Sequence, residues 1–347
     1  LLCPLHQEPS GVWIMAYTVI DDPSAHFQTA IWNGTGSALS VTFDGNSDLE
    51  PDMVWVKNRN LASDHRLTDS VRGTSAHLVP NGTDAEDSSS TALTAFNSDG
   101  FSVGNEQSYS RSGDTHVGWG WKESATAGFD IVSFTTSGDD ENFSHSLGVK
   151  PELIIFKARA SSGNWAVLGE FAETTFNNKY MVLNLTDAQG SDGSYSNPTA
   201  SQFSTSNNVA VDSTHIAYLF RSVQGFSKIG FYTGNGSATA GPMVYLGFRP
   251  AFVLTKKIDG ADDWRIFDNK RSSSGFNPVD KHIYPYSNGA EASSSTNSLP
   301  DGFDFLSTGF KILQASAGIN GDGGKYLYMA FAEHPLVTST GIPTTAR

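Results

Sequence analysis

What this sequence lacks narrows it first. It has one cysteine, Cys3, in 347 residues, which excludes an intrachain disulfide and any zinc site built from several thiolates. Basic charge is scarce. The 22 Lys and Arg stand against 36 Asp and Glu, a formal charge of −14 that repels the phosphate backbone of nucleic acids and anionic membrane surfaces. No apolar run approaches the roughly 18 residues needed to span a bilayer, and the N-terminus lacks the basic-then-apolar pattern of a secretion signal. No window carries a convincing apolar stripe of helical period with caps at its ends. The expectation is a fold without helices as its frame, with no nucleic-acid partner, no membrane insertion and no cofactor.

What is there has the usage of short strands and tight turns. Aromatic residues are frequent, with 22 Phe, 11 Tyr and 7 Trp, and 34 Gly accompany many Ser, Thr and Asn. The architecture follows from an internal repeat. The run LEPDMVWVKNR at 49–59 recurs as VKPELIIFKAR at 149–159 and as FRPAFVLTKKI at 248–258, so Pro51, Pro151 and Pro250 lie 100 and 99 positions apart. Lys57, Lys157 and Lys256 keep the same register, as do His65, Trp165 and Trp264. Each copy closes on an aromatic alternating stretch: GDTHVGWGWKE, DSTHIAYLFRS and GGKYLYMAFAE.

Within a copy the apolar period is two, as in Met53, Trp55 and Val117, Trp119, Trp121, which predicts half-buried strands. The prolines sit at strand starts, where a missing N–H costs no ladder bond. About 100 residues with seven or so strands is the size of a β-sandwich, of jelly-roll or immunoglobulin-like type. The reading is all-β: three tandem homologous sandwich modules in a row, forming a rod or compact arc. Residues 1–14 read as an upstream leader before Met15. The repeats read as 15–125, 126–224 and 225–335, the third with an insertion near 271–303, and 336–347 as a C-terminal tail.

Motifs that carry chemistry are sparse. The nine histidines show no HExxH spacing, and His116 and His215, at equivalent repeat positions, read as shared framework. Acidic turns DGNSD at 44–48 and SGDDEN at 137–142 offer oxygen ligands for a structural calcium ion, but neither matches the EF-hand loop, and Asp-Gly turns are common where strands reverse. There is no GxSxG elbow and no P-loop. Asn33, Asn81, Asn184 and Asn235 head glycosylation sequons, yet the Asn-Gly pairs among them are also preferred hairpin turns. Trp55, Trp119, Trp121, Trp165, Trp264, Tyr326 and Tyr328 are expected mainly in the core.

The blocks MAYTVIDDPSAHFQTAIWNGTG, DGNSDLEPDMVWVKNR, HRLTDSVRG, FNSDGFSVG, GDTHVGWGWK, GFSKIGFYTGNGS, GFRPAFVLTKK and YLYMAFAEHP together resemble a repeat family of structural proteins in marine bacteriophages. The resemblance runs from about Met15 to Pro335, and the second copy departs most, with GEFAE where the first has DSVRG. It implies a non-enzymatic virion protein, assembled in the host cytoplasm and carried on the extracellular particle, of tail-fibre or tail-associated type. It names no catalytic residues.

The implied partners are further copies of the chain, with a homotrimer as the form common among fibres, other virion proteins, and a host surface glycan or protein. Capsid decoration, a head fibre or another extracellular filament assembly protein is the alternative, and a polysaccharide depolymerase a third. Phe276, Tyr284 and Tyr286, inside the insertion, are the candidate receptor contacts.

Overall fold

A computed structural model describes residues 5–7, 13–15, 17–137, 141–170, 179–191, 195–205, 213–275, 277–293 and 302–344. The chain is nearly all β. In the first repeat the Pro-led strand Met53–Asn58 lies inside a four-stranded antiparallel sheet. Its spatial order is Phe27–Asn33, Thr115–Trp121, Met53–Asn58, Arg66–Asp69. The same order recurs as Phe129–Thr136, Ser213–Phe220, Leu153–Ala158, Ala166–Gly169, extended there by Lys179–Val182 and Gly190–Ser191. It recurs again as Ser227–Thr233, Lys325–Pro335, Phe248–Lys257, Arg265–Asp268.

A smaller sheet accompanies each large one and closes a sandwich. These are Leu39–Val41, Phe101–Val103 and Leu93–Phe96 in the first unit, Asn142–Ser144 with Gln202–Ser204 in the second, and Met243–Tyr245, Gly309–Ile312 and Phe303–Leu306 in the third. Between the sheets of the first unit, Trp32, Val54 and Val56 meet Val41, Phe101 and Val103. Gly120 belongs to this contact: a Cβ there would stand 2.6 Å from Phe43 Cζ, so only glycine lets the two layers approach. One ring position is conserved in kind through all three interiors. Trp32 stacks on His116, Phe134 on His215 and Tyr232 on Tyr326, at 5.5, 5.2 and 5.0 Å.

The large sheets are buried on both faces, which corrects the expectation of half-buried strands: all six residues of Met53–Asn58 are buried. The alternate residues of each large sheet, among them Phe27, Trp55, Trp119 and Trp121, Phe129, Tyr218 and Phe220, and Phe252 and Phe331, belong to one hydrophobic cluster common to the three units. At its centre Phe331 lies 5.2 Å from Phe27, 5.8 Å from Trp121 and 6.1 Å from Phe220. Each sandwich covers the second face of the other two.

The units therefore close into a ring rather than run in a row, and the hydrogen bonds at the seams repeat in cyclic order. Glu86 N–H donates to Arg159 C=O, Gln189 to Ile258 and Glu291 to Arg59, at 2.8, 2.9 and 2.8 Å. In the other direction Gly163 N–H donates to Thr83, Asp262 to Thr186 and Ser63 to Asn288. Trp165 Nε1 donates to Val79 C=O and Trp264 Nε1 to Val182 C=O, while His65 Nε2 donates to Tyr284 C=O as its Nδ1 accepts from Trp55 Nε1. A head-to-tail contact whose rotation closes after three steps makes such a ring. The expected boundaries are tight turns in which Ser124 bridges Phe129 and Val223 bridges Ser227.

Among the described residues, charge networks lock two of the three seams. Between the first and second units, Arg72 pairs with Asp69 at 2.6 Å and with Glu86 at 3.2 Å; Glu86 in turn pairs with Arg159, and Tyr218 donates to Asp69. Between the third and first units, Arg271 pairs with Asp268 and Glu291, Glu291 pairs with Arg59, and Trp119 Nε1 donates to Asp268. The second-to-third seam has Gly169, Gln189 and Ile258 at the corresponding positions, and Gln189 Oε1 is buried without a hydrogen-bond partner.

Candidate functional site

The ring leaves a cleft of about 180 Å³ where the third unit meets the first. One wall is the start of the edge strand Phe27–Asn33 with the acidic turn Asp44–Asn46; the other is Ala251, Asn269, Lys270 and the strand end Ala332–His334. Lys270 Nζ bonds both carboxylate oxygens of Asp44, at 2.7 and 2.8 Å, and ties the turn across to the third unit. Gln28 is spent on structure: its Nε2 donates to Ser24 and Ser47 C=O, and its Oε1 accepts from Gly45 N–H. Thr29, only 4% exposed, and Asn269 differ, because Thr29 Oγ1 and Asn269 Oδ1 are buried without a hydrogen-bond partner. Buried polar atoms are seldom left so, and each such case needs a physical reason.

The other seams show how this position is filled elsewhere in the ring. Between the first and second units, Glu123 reaches the edge strand of the second and accepts from Ile131 N–H at 3.2 Å. Burial, and then the hydrogen bond to Asp130, push the Glu123 carboxyl up to about 7. Between the second and third units, Ser222 Oγ accepts from Ile229 N–H at 2.9 Å. At the third-to-first seam the matching residue is Glu333, which pairs with Arg249 at 2.6 Å instead, and the matching strand residue is Thr29. Among the described residues, this is the one of the three equivalent places where the matching side chain does not bond the edge-strand N–H.

The candidate receptor contacts fall elsewhere. Phe276 lies outside the described residues. Tyr284 and Tyr286 are partly buried at the seam: Tyr284 gives its carbonyl to His65 and its hydroxyl bonds His282 at 2.8 Å, while Tyr286 donates to Asp263 at 2.6 Å. The Tyr284 carbonyl crosses to the first unit and helps to close the ring, while the Tyr286 bond stays within the third unit. The seven Trp and Tyr positions expected mainly in the core are all buried.

Among the described residues no group of three or more His, Cys, Asp or Glu side chains is placed to hold a metal ion, and no helix is long and apolar enough to cross a membrane. The acidic turn at 44–48 is held by Lys270, and Ser47 Oγ donates to Asp22. Residues 138–140 of the other acidic turn lie outside the described residues.

A carboxyl pair does exist in Glu123 and Asp130, but the two are hydrogen-bonded to each other. Glycoside hydrolysis needs its two carboxyls about 5–9 Å apart across the substrate, a spacing this pair does not have. The cleft was hard to foresee because its residues come from both ends of the chain. Its one sequence signal is the set Glu123, Ser222 and Glu333, which shares a repeat position.

The family described as a domain of unknown function (DUF7483) matches residues 22–335. No curated protein and no solved structure matches the chain.

Proposed function

We propose that this chain, which belongs to the DUF7483 family, is a non-enzymatic virion structural protein: a tail-fibre or tail-associated adhesin subunit that binds the host cell surface. The observation that carries the reading is the contrast between a locked scaffold and one open polar site. Three sandwiches share a single core and two charge-locked seams, while a cleft lined by polar and apolar residues opens at the third-to-first seam. A rigid frame holding a small open cleft is the design of a binding module, since preorganisation lowers the entropy lost on contact. The resemblance to marine phage structural repeats supports the same reading.

A capsid-decoration or head-fibre role is favoured by a different observation. The edge strands Phe27–Asn33 and Ser227–Thr233 each have one unpaired side and leave Ile31 and Phe231 exposed, at 37% and 52%. Open strand edges with apolar side chains suit lateral contacts with further copies or other virion proteins. The test is to locate the chain by electron cryomicroscopy of the particle and to ask whether the purified chain blocks infection. Density on a tail appendage together with dose-dependent blocking supports the adhesin. Density on the head shell without blocking overturns it in favour of decoration.

A further inference from the structure

We propose that the outer face of the small sheet in the third unit, around Tyr245, binds a carboxylate-bearing sugar of a surface glycan. This rests on the adhesin reading, names its ligand class and places a contact outside the cleft.

The small sheets of the three units share a pairing but not an outer face. In the first unit Val41 lies across from Phe101 and is buried, while Ser40 and Thr42 on either side of it are exposed. Ser40 there bonds Ser102, which also accepts from Asn97. In the second unit the exposed residues of the matching strand are Asn142 and Ser144. In the third, Val244 lies across from Phe310, and the residues flanking it are Met243 and Tyr245, exposed at 51% and 55%. Lys311 takes the place of Ser102, across from Met243, and Leu306 that of Asn97. Two copies present small polar side chains on this face; the third presents an aromatic ring, a thioether and an ammonium group. Large apolar side chains left in water by one copy alone mark a contact surface.

The groups on the face select the ligand. Gly309 lies directly across from Tyr245, so no side chain of the neighbouring strand stands opposite the ring. Lys228 Nζ donates to Tyr245 C=O at 2.9 Å and lies 5.7 Å from the ring centre; that carbonyl of the edge strand is taken, which disfavours the addition of a peptide strand. Tyr17 donates its hydroxyl proton to Gly247 C=O, so the 3.3 Å contact between the two phenols is a bond that Tyr245 donates. The Tyr245 oxygen keeps lone pairs for a hydroxyl donor. Charge decides between a neutral and an acidic sugar. Among the described residues neither Lys228 nor Lys311 is ion-paired, and the two outnumber Asp304, which faces Lys311 across the strands. A locally positive spot on a chain of net charge −14 draws a carboxylate. A pyranose ring supplies the rest: a C–H face for Tyr245 and Met243, and hydroxyls for the phenol oxygen.

The test is saturation-transfer NMR on the full chain with galacturonic acid, glucuronic acid and N-acetylneuraminic acid, and with galactose and glucose as neutral controls, for the wild type, Tyr245→Thr and Lys311→Ser. Each variant carries the residue that the first unit has at the matching position and changes a side chain on the outer face, so the fold is retained, and a urea midpoint checks this. The expected result is transfer to at least one acidic sugar that exceeds transfer to both neutral ones. Tyr245→Thr weakens it about tenfold, the scale of losing an aromatic contact and a hydrogen bond together, and Lys311→Ser narrows the preference for the acid. No transfer to any acidic sugar, equal transfer to the neutral ones, or transfer unchanged in Tyr245→Thr overturns the site. A wild-type dimer in sedimentation that Tyr245→Thr dissociates, without sugar transfer, also overturns it and makes the face a contact between copies. Labelling of host cells by the same proteins separates the two ideas. Cells labelled equally by wild type and Tyr245→Thr leave the adhesin reading standing and overturn this face as its receptor site; sugar transfer without labelling of any host cell upholds the face and overturns the adhesin reading.

Discussion

Replacing Arg72 by Met tests whether the seams are held by charge. The Arg72 and Asp69 side chains are fully buried, 2.6 Å apart, and Arg72 also donates to Leu67 C=O and to the Tyr218 hydroxyl. Met fills much of the space but leaves the Asp69 carboxylate buried, with only the Arg72 N–H and the Tyr218 hydroxyl bonding it. Removing one partner of such a pair costs about 3–5 kcal/mol, most of it from the charge left stranded. If the stranded charge is the cause, Asp69→Asn in the Arg72→Met background recovers about half of the loss, although it removes still more of the wild-type interaction. The assay is urea unfolding followed by tryptophan fluorescence. One transition is expected for all variants, because Trp119, Trp165 and Trp264 lie in the common cluster. A loss below about 1 kcal/mol in Arg72→Met, or no recovery in the double variant, refutes the reasoning. Two separate transitions refute the shared core.

Gly120→Leu copies the residue at the equivalent place in the second unit, Leu219, and drives a side chain into Phe43; overpacking of this kind costs about 1–3 kcal/mol, measurable as a lower urea midpoint. Trp165→Phe removes the Nε1 bond to Val79 C=O across a seam and is expected to cost about 2 kcal/mol; an unchanged midpoint would show that this seam bond is dispensable. Acidification should destabilise the ring. Burial pulls His65 and His282 down to about 3 in the folded state, so below about pH 6.5 the unfolded chain takes up protons that the folded chain does not. Between about pH 7 and pH 5 each histidine then removes up to about 2 kcal/mol, while the raised Glu123 carboxyl, protonated first in the folded state, returns about as much as one of them; a midpoint that rises on acidification over that range would contradict the burial of both rings.

Much of the frame was legible because a repeat writes the same physics more than once. The closing aromatic strands and the first two Pro-led strands, Met53–Asn58 and Leu153–Ala158, lie where the register and period of two placed them, whereas in the third repeat the strand starts ahead of its proline, at Phe248, and shifts register at Pro250. The paired histidines 116 and 215 sit in the core as framework, each stacked on an aromatic ring. Burial of both sheet faces was not legible, because a period of two describes one face and is silent on what covers the other. Met53 and Trp55 are interior on one face of their strand, and Val54 and Val56 on the other. The insertion was visible as extra length, but its tyrosines were placed by their bonds to His282 and Asp263, which no spacing reports.

The sequence by itself determined the strand content, the threefold repeat and the exclusion of disulfides, because these depend on composition and on local periodicity. Only the tertiary structure decided that the three units close on one another and that one seam holds a cleft. Arg59 meets Glu291 and Asp44 meets Lys270 across more than 220 positions, and such pairings depend on the rotation between successive units. That rotation is set by how three aromatic faces pack around Phe331, a property of no single segment.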